Sequence, residues 1–436
     1  MNSKIPDRCG WVALAGEYEA HPQLQGNYRT DWAIIGAGFT GQAAARRLAQ
    51  LVPEQRILLI EAKKFGQGAS GRNSGFVVAH ESPGHAKLKS HRDLHQYQAL
   101  HTLDQAGTVA LRKWVREFDI DCQWQDISSV HAAHDPDNFP ILDNQVRVFE
   151  QLGIPTRLLR ADELSQRLGT SFYGRGVCCE GGALVQPAAL IKGLLDRLPD
   201  SVECYEYSPV RKISRRNGKI VLELLHAEVV ADRVIICNNA FIPELGVHRN
   251  RMFPLALTAS LTRPLHPGEE RQLGQQVKPW GVLSPQPLGA TLRLTADRRL
   301  LIRNTAEYRP SGIPIQIIGQ KRHQHMLGLK KRFPWLPEDC IEHTWSGHIC
   351  ISRNAKPDFA AVSEGLYLAG CYNASGVARG TILGRLVVDH ALGAASDLLD
   401  AVHSLTQPAL LPPRLFFGIG ARVVMRWKRF KGASEA

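Results

Sequence analysis

The stretch from Asp31 to Glu61 constrains this chain more than any other. Asp31-Trp32-Ala33-Ile34-Ile35 reads as a short buried strand, and Gly36-Ala37-Gly38-Phe39-Thr40-Gly41 follows without a break. That turn opens a helix with apolar positions Ala44, Ala45, Leu48 and Leu51, closed by Pro53. A second apolar run, Ile57-Leu58-Leu59-Ile60, then ends at Glu61 and Ala62. Strand, glycine turn, helix, strand and acidic residue in this order make a βαβ unit for binding a dinucleotide. Gly36 permits the tight turn, Gly38 lets the backbone approach a pyrophosphate, and Gly41 lets the helix lie close to the strand. The helix start presents free N–H groups to phosphate oxygens, and Glu61 can accept from the hydroxyls of an adenosine ribose. By itself the unit does not separate one dinucleotide from another.

With 436 residues, 44% hydrophobic and 22% charged, the chain suits two interleaved domains with a sizeable core. No run of roughly eighteen apolar residues appears, which argues against a spanning helix. The first ten residues are polar and the nine cysteines lack zinc spacing, so the expectation is a cytoplasmic protein with reduced thiols and no metal. The net charge of +12 invites a nucleic-acid partner, but no helix-turn-helix, zinc-finger or RNP pattern accompanies it. Solvated basic faces at 211–216, 330–332 and the C-terminal tail account for it better, and no nucleic-acid partner is expected.

The next segment narrows the cofactor. Gly66-Gln67-Gly68-Ala69-Ser70-Gly71-Arg72-Asn73-Ser74-Gly75 interleaves glycines with Ser, Arg and Asn, as a surface linker or a cofactor-wrapping loop would. Its order, together with Glu61-Ala62, resembles the segment after the second strand in the D-amino-acid-oxidase-like FAD-dependent oxidoreductases. That family includes glycine and sarcosine oxidases, γ-glutamylputrescine oxidase and L-pipecolate oxidases. The resemblance places Gly68, Ala69, Ser70, Arg72 and Asn73 at FAD, on a loop running from the pyrophosphate toward the isoalloxazine.

Later segments extend the resemblance over residues 30 to 395. Val229–Ala240 is similar to the family's return to the nucleotide domain, where a backbone contact at Val210 holds adenine and the turn at Asn238 closes over the cofactor. Gly365–Gly370 reads as a strand, and Cys371-Tyr372-Asn373-Ala374-Ser375-Gly376-Val377 leads into a helix from Ala378 to Leu392. A helix start there, with Gly370, Ser375, Gly376 and Val377, would favour negative charge on the reduced flavin pyrimidine. The family has Gly-His where this chain has Ala374-Ser375, so no side-chain role carries over from that histidine. The implied fold is α/β: a Rossmann-type FAD-binding domain, glutathione-reductase-like, with a second, mostly antiparallel α+β substrate domain. The expected layout assigns 30–90, 155–243 and 340–395 to the FAD domain, 91–154 and 244–339 to the substrate domain, and 396–436 to a basic tail.

The resemblance implies hydride transfer from a carbon bearing nitrogen to flavin, giving an imine. An amino-acid substrate calls for an arginine clamp on its carboxylate. Arg303 ends the apolar run Leu300-Leu301-Ile302, and Arg353 follows the strand of Trp345-Ser346-Gly347-His348 that passes the flavin in the family. His348 and Tyr308 are further candidates for substrate contact. Cys350 stands near where some sarcosine oxidases attach flavin covalently, but without that subgroup's pattern, so noncovalent FAD is expected. The expected substrate is an amino acid or secondary amine, first a cyclic one such as L-pipecolate. The alternatives are a γ-glutamylputrescine-type amine oxidase and a tRNA-modifying FAD enzyme. The electron acceptor is open between O2 and a quinone. Between Arg414 and Lys431 six basic and no acidic residues alternate with Leu415, Phe416, Phe417, Ile419, Val423, Val424, Trp427 and Phe430. Such a helix suits the inner surface of a membrane or packing on its own domain.

Overall fold

The fingerprint segment forms the centre of a largely parallel sheet. The computed structural model describes residues 9–84, 86, 88, 90–286 and 288–436, and their side chains except those of 414–416, 419, 429 and 431. The strands of this first sheet and its neighbour, in chain order, begin with β1 (Gly26–Ile35), β2 (Ile57–Ile60), β3 (Phe76–Val77), β4 (Gln125–Ala133), β5 (Thr156–Arg160) and β6 (Arg175–Leu184). They continue with β7 (Val202–Tyr205), β8 (Lys212–Arg216), β9 (Lys219–Glu223), β10 (Ala227–Ile236), β11 (Met252–Thr262) and β12 (Trp280–Leu283). The last five are β13 (Thr291–Leu294), β14 (Leu300–Glu307), β15 (Ile341–Ser352), β16 (Asp358–Ser363) and β17 (Leu366–Gly370). Seven helices matter below: α1 (Phe39–Leu51), α2 (Ala69–Arg72), α3 (His91–Glu117), α4 (Pro187–Leu195), α5 (Ile318–Arg332), α6 (Ala378–Leu392) and α7 (Arg414–Lys431).

The first sheet runs β16-β17-β10-β1-β2-β7, with the β8–β9 hairpin added on β10. β1 pairs in parallel with both β10 and β2. All four residues of β2 are buried, as a strand covered on both faces requires. The β8–β9 turn uses Asn217 and Gly218, both at positive φ, the signature of a two-residue hairpin. Helices α1 and α6 cover one face with Ala44, Leu48, Leu383 and Val387. They approach so closely that a Cβ at Gly384 would lie 2.2 Å from the Thr40 carbonyl oxygen.

The second sheet has nine strands in the order β15-β11-β14-β13-β12-β4-β6-β3, with β5 on β6. Its pairs are antiparallel except β12 with β4. Helix α5 closes its outer face through Met326, Leu329 and the following Phe333 against Leu292, Leu294 and Ile302. The α/β architecture with a mostly antiparallel second domain is as the sequence implies.

The segment boundaries differ from the expected ones. β3 at 76–77, β5 and β6 at 156–184, and β15 at 341–352 all join the second sheet, although each lies in a segment expected to be FAD domain. Conversely α3, expected in the substrate domain, packs on α6, where a Cβ at Gly107 would meet the Ala378 carbonyl at 2.1 Å. Each crossing segment enters or leaves the nucleotide sheet through a strand of the other sheet. Motifs mark the cofactor end of a segment and say nothing of the strand that precedes it. The tail is fastened to the rest of the chain at both ends. Phe417 packs against Phe253 and Tyr308, and Glu435 is fully buried.

Candidate active site

The glycine turn is built for close approach. A Cβ at Gly41 would lie 1.8 Å from the Gly36 carbonyl oxygen, and one at Gly38 would lie 2.6 Å from Ser70 Oγ. Gly36 has φ +97° and faces Asn238, whose Cα would be 3.1 Å from an added Cβ. Gly38 caps α1 with no side-chain hydrogen bond and no acidic residue follows in the first turn, so the helix start remains open to an anion. Phe39 N–H donates to Ser70 Oγ at 3.1 Å, which ties the glycine turn to the loop 66–75.

Glu61 leaves β2 with its carboxylate oriented by backbone donors. Ala37 N–H donates to Oε2 and Lys63 N–H to Oε1, each at 3.1 Å. Burial raises its pKa, and these backbone bonds partly offset that. Val210 is half-buried in the connection that follows β7, whose Tyr205 carbonyl accepts from Glu61 N–H and whose extension at Ser208 donates back to the Glu61 carbonyl. Asn238 Oδ1 is buried and has no partner among the described residues. Ala62 is exposed beside Glu61.

The loop 66–75 is a short helix with its own fastening. Gly68 precedes α2, which begins at Ala69, and Asn73 Nδ2 donates to the Ser70 carbonyl while its Oδ1 accepts from Gly75 N–H. Arg72 Nη1 donates to the Ser346 carbonyl at 2.6 Å, and Trp345 Nε1 donates to the Arg72 carbonyl at 2.9 Å. The loop 66–75 is thus laced to β15 of the second sheet. The turn before α6 is equally constrained. Cys371, Asn373 and Ala374 all have positive φ, and Cys371 N–H donates to Asn239 Oδ1 at 2.9 Å. Ser375 is buried with its N–H on the Tyr372 carbonyl, and Val377 caps α6 with no side-chain bond. Behind this turn Arg379, fully buried, donates from Nε and Nη2 to Asp104 of α3 at 2.9 and 2.6 Å, and from Nη1 to the Tyr372 carbonyl. Gly370 ends β17 against Ile242.

These features accommodate FAD. A cradle that any side chain would fill, an uncapped helix start, the Glu61 carboxylate oriented by backbone donors and an orphaned Asn238 oxygen converge on one edge of the first sheet. Gly36, Gly38, Glu61, Ser70 and Asn238 would hold the nucleotide part.

Strand alternation places Trp345 and Gly347 of β15, Ala259 of β11, Leu301 and Arg303 of β14, and Thr291 and Arg293 of β13 on the sheet face turned toward this loop. Arg303 is half-buried and donates from Nη2 to Thr291 Oγ1 at 2.5 Å. Burial lowers its pKa to about 10, and no carboxylate offsets that effect. Among the described residues it has no ion pair. Arg293, fully buried, donates to the Val185 carbonyl and lies 5.2 Å over the Trp11 ring.

The other expected contacts divide. Arg353 is exposed on the turn after β15. His348 is half-buried against Phe241, and burial lowers its pKa, so the imidazole is largely neutral at pH 7. Tyr308 packs edge-on against Phe253 and Phe417, which makes it an anchor for the tail. Tyr372 is fully enclosed, its hydroxyl on Thr40 Oγ1 at 2.6 Å and the Ala369 carbonyl at 2.8 Å. Cys350 is buried against Cys371, and that contact and burial push its pKa well up, leaving an inert thiol. Sequence reading missed Asp104, Arg379, Arg293 and Trp11. For Asp104 a signal existed, since an acid midway along an apolar helix face demands a cation.

The family described as FAD dependent oxidoreductase matches residues 31–390. A probable oxidoreductase OrdL of Rhizobium meliloti is 27% identical over 410 residues, covering 93% of this chain and 92% of its own. The gamma-glutamylputrescine oxidoreductase of Escherichia coli is 25% identical over 405 residues, covering 91% of each. Among solved structures, glycine oxidase from Geobacillus kaustophilus superposes with a TM-score of 0.71 at 20% identity, covering 85% of this chain and 96% of its own. The L-proline dehydrogenase of P. horikoshii superposes with 0.69 at 15% identity, covering 85% and 96%. At these identities the two structures speak for the fold.

Proposed function

Since the chain belongs to the family of FAD-dependent oxidoreductases that act on amino acids and amines, we propose that its substrate is a carboxylate-bearing secondary amine anchored by Arg303. When bound, FAD, held noncovalently, supplies the acceptor for a hydride from the carbon bearing nitrogen. The protein's part is to hold and orient. The observation that carries this reading is Arg303 itself: a half-buried guanidinium on the inward sheet face, held by one neutral hydroxyl and lacking a carboxylate. A partly desolvated cation in that state lacks the anionic partner that a substrate carboxylate provides. Arg353, exposed beyond β15, is poorly placed for the same task. The neutral His348 ring at the rim can accept or donate one hydrogen bond and adds no charge.

A cyclic amino acid such as L-pipecolate is the leading substrate. Its ring nitrogen and α-carbon are held at a fixed distance from the carboxylate, so one clamp orients the reacting carbon. A second reading, a γ-glutamylputrescine-type amine, is favoured by the relative of that name. No helix among the described residues is long and apolar enough to cross a membrane. The basic tail supports peripheral placement at the inner membrane face, where a quinone would be the acceptor in preference to O2. Arg303→Met tests the clamp: KM for L-pipecolate should rise roughly 10- to 150-fold, for the loss of about 1.5–3 kcal/mol of charge-assisted bonding. Flavin content should be unchanged. An unaltered KM would overturn it.

A further inference from the structure

The C-terminal helix α7 is held at both ends and turned outward between them. Before it, Arg251 Nη1 donates to the Pro408 carbonyl at 2.7 Å and Leu411 N–H to the Asn250 carbonyl at 2.7 Å. Near its start Phe417 packs against Phe253 and Tyr308. After it, the fully buried Glu435 carboxylate accepts from His134 N–H and Asp135 N–H at 3.0 Å and from Asn138 Nδ2 at 2.9 Å. The Glu435 carbonyl accepts from Ala290 N–H and Arg332 Nη2, both at 2.9 Å. A helix fastened this way presents one fixed face to its surroundings.

That face is apolar. Val423, Val424, Trp427 and Phe430 are 63, 50, 56 and 82% exposed. With roughly 100° per residue, Val423, Trp427 and Phe430 fall within an arc of about 60°, and Val424 widens it to about 120°. Arg422 and Arg426 lie along one side of this stripe and Lys428 along the other, all exposed. Ala421 and Met425, on the opposite side, are half-buried against the domain. No acidic residue interrupts the helix. An apolar stripe flanked by long cations is the arrangement in which rings enter the acyl boundary while guanidinium and ammonium groups reach up to headgroup phosphates.

Resting on the peripheral placement proposed above, we infer that the outward face of α7 is a docking surface for an anionic lipid bilayer, with Trp427 and Phe430 inserted and Arg422, Arg426 and Lys428 on the headgroups. The cations select this occupant. A second copy of the chain would set +12 against +12 and three cations against three, whereas an anionic surface complements them.

The test uses the full-length holoenzyme floated with phosphatidylcholine vesicles, with or without phosphatidylglycerol. The protein should float with the anionic vesicles at low salt, stay behind with the neutral ones, and detach as salt is raised. Arg422→Gln/Arg426→Gln/Lys428→Gln should weaken binding roughly a hundredfold, from about fivefold per cation near the surface. Trp427→Ala/Phe430→Ala should also abolish flotation. Both variants should keep bound flavin and their reduction by substrate, because none of these residues belongs to the site. Absence of flotation with anionic vesicles, or flotation indifferent to both variants, would overturn the inference. So would a concentration-dependent doubling of mass that Trp427→Ala/Phe430→Ala abolishes. Flavin reduction is read separately, so loss of lipid binding alone leaves the amine-oxidising function untouched.

Discussion

Gly38→Val separates cofactor binding from folding. Gly38 has φ −72° and ψ −171°, an extended conformation that valine adopts without backbone strain. Its Cβ would lie 2.6 Å from Ser70 Oγ, so Ser70 must turn away and its hydrogen bond from Phe39 N–H is lost. That one neutral bond is worth about 0.5–1.5 kcal/mol, and the apoprotein should remain folded. The larger effect falls on the phosphates. The branched methyls fill the space in which the backbone meets the pyrophosphate, removing one or two charge-assisted bonds at about 1.5–3 kcal/mol each. FAD affinity should therefore fall at least about tenfold and by as much as roughly twenty-thousandfold. The assay is titration of apoprotein with FAD, followed by flavin fluorescence quenching, beside the urea midpoint of the same preparation. Full affinity at unchanged stability would refute the assignment of this turn to the pyrophosphate.

Asp104→Ala would strand the fully enclosed Arg379 with only Glu81 and the Tyr372 carbonyl. It should cost about 3 kcal/mol in urea unfolding, and a loss below about 1 would show that the pair is dispensable. Acid should destabilise the protein through two buried imidazoles. Burial holds His131 to about 4 and His325 to about 3, while in the unfolded chain both titrate near 6.5. The unfolded state binds more protons between these values, so stability falls as pH drops below about 6.5. Near pH 5 the loss should approach about 4 kcal/mol relative to neutrality, measured as a shift in urea midpoint. An unchanged midpoint would mean that these histidines are hydrated in the folded state.

The nucleotide half of the site was legible because its chemistry is local. Gly36, Gly38, Gly41 and Glu61 act through backbone geometry within one βαβ unit, and spacing alone exposes them. The bounds of α6 were readable for the same reason. The substrate half was not, since its cations come from strands far apart in sequence. Arg303 and Arg293 share a face only because β13 and β14 pair in one register, with Thr291 opposite Arg303. Sequence therefore offered both Arg353 and Arg303, with Arg353 first, and burial reverses that order. The tail gave up its composition but not its fastening, because Glu435 is an ordinary surface residue until His134, Asp135 and Asn138 surround it. Tyr308 similarly acquires its packing role from Phe417, more than a hundred residues away in the chain.

The central claim is that the chain oxidises amino acids or amines through bound FAD. Its most direct test is the absorbance of the holoenzyme's flavin under anaerobic conditions after mixing with L-pipecolate, L-proline, sarcosine and γ-glutamylputrescine in turn. The oxidised flavin band should bleach with at least one of these, fastest with L-pipecolate, and return when O2 or a quinone is admitted. A flavin that dithionite bleaches but that stays oxidised with every amino acid and amine would contradict the account.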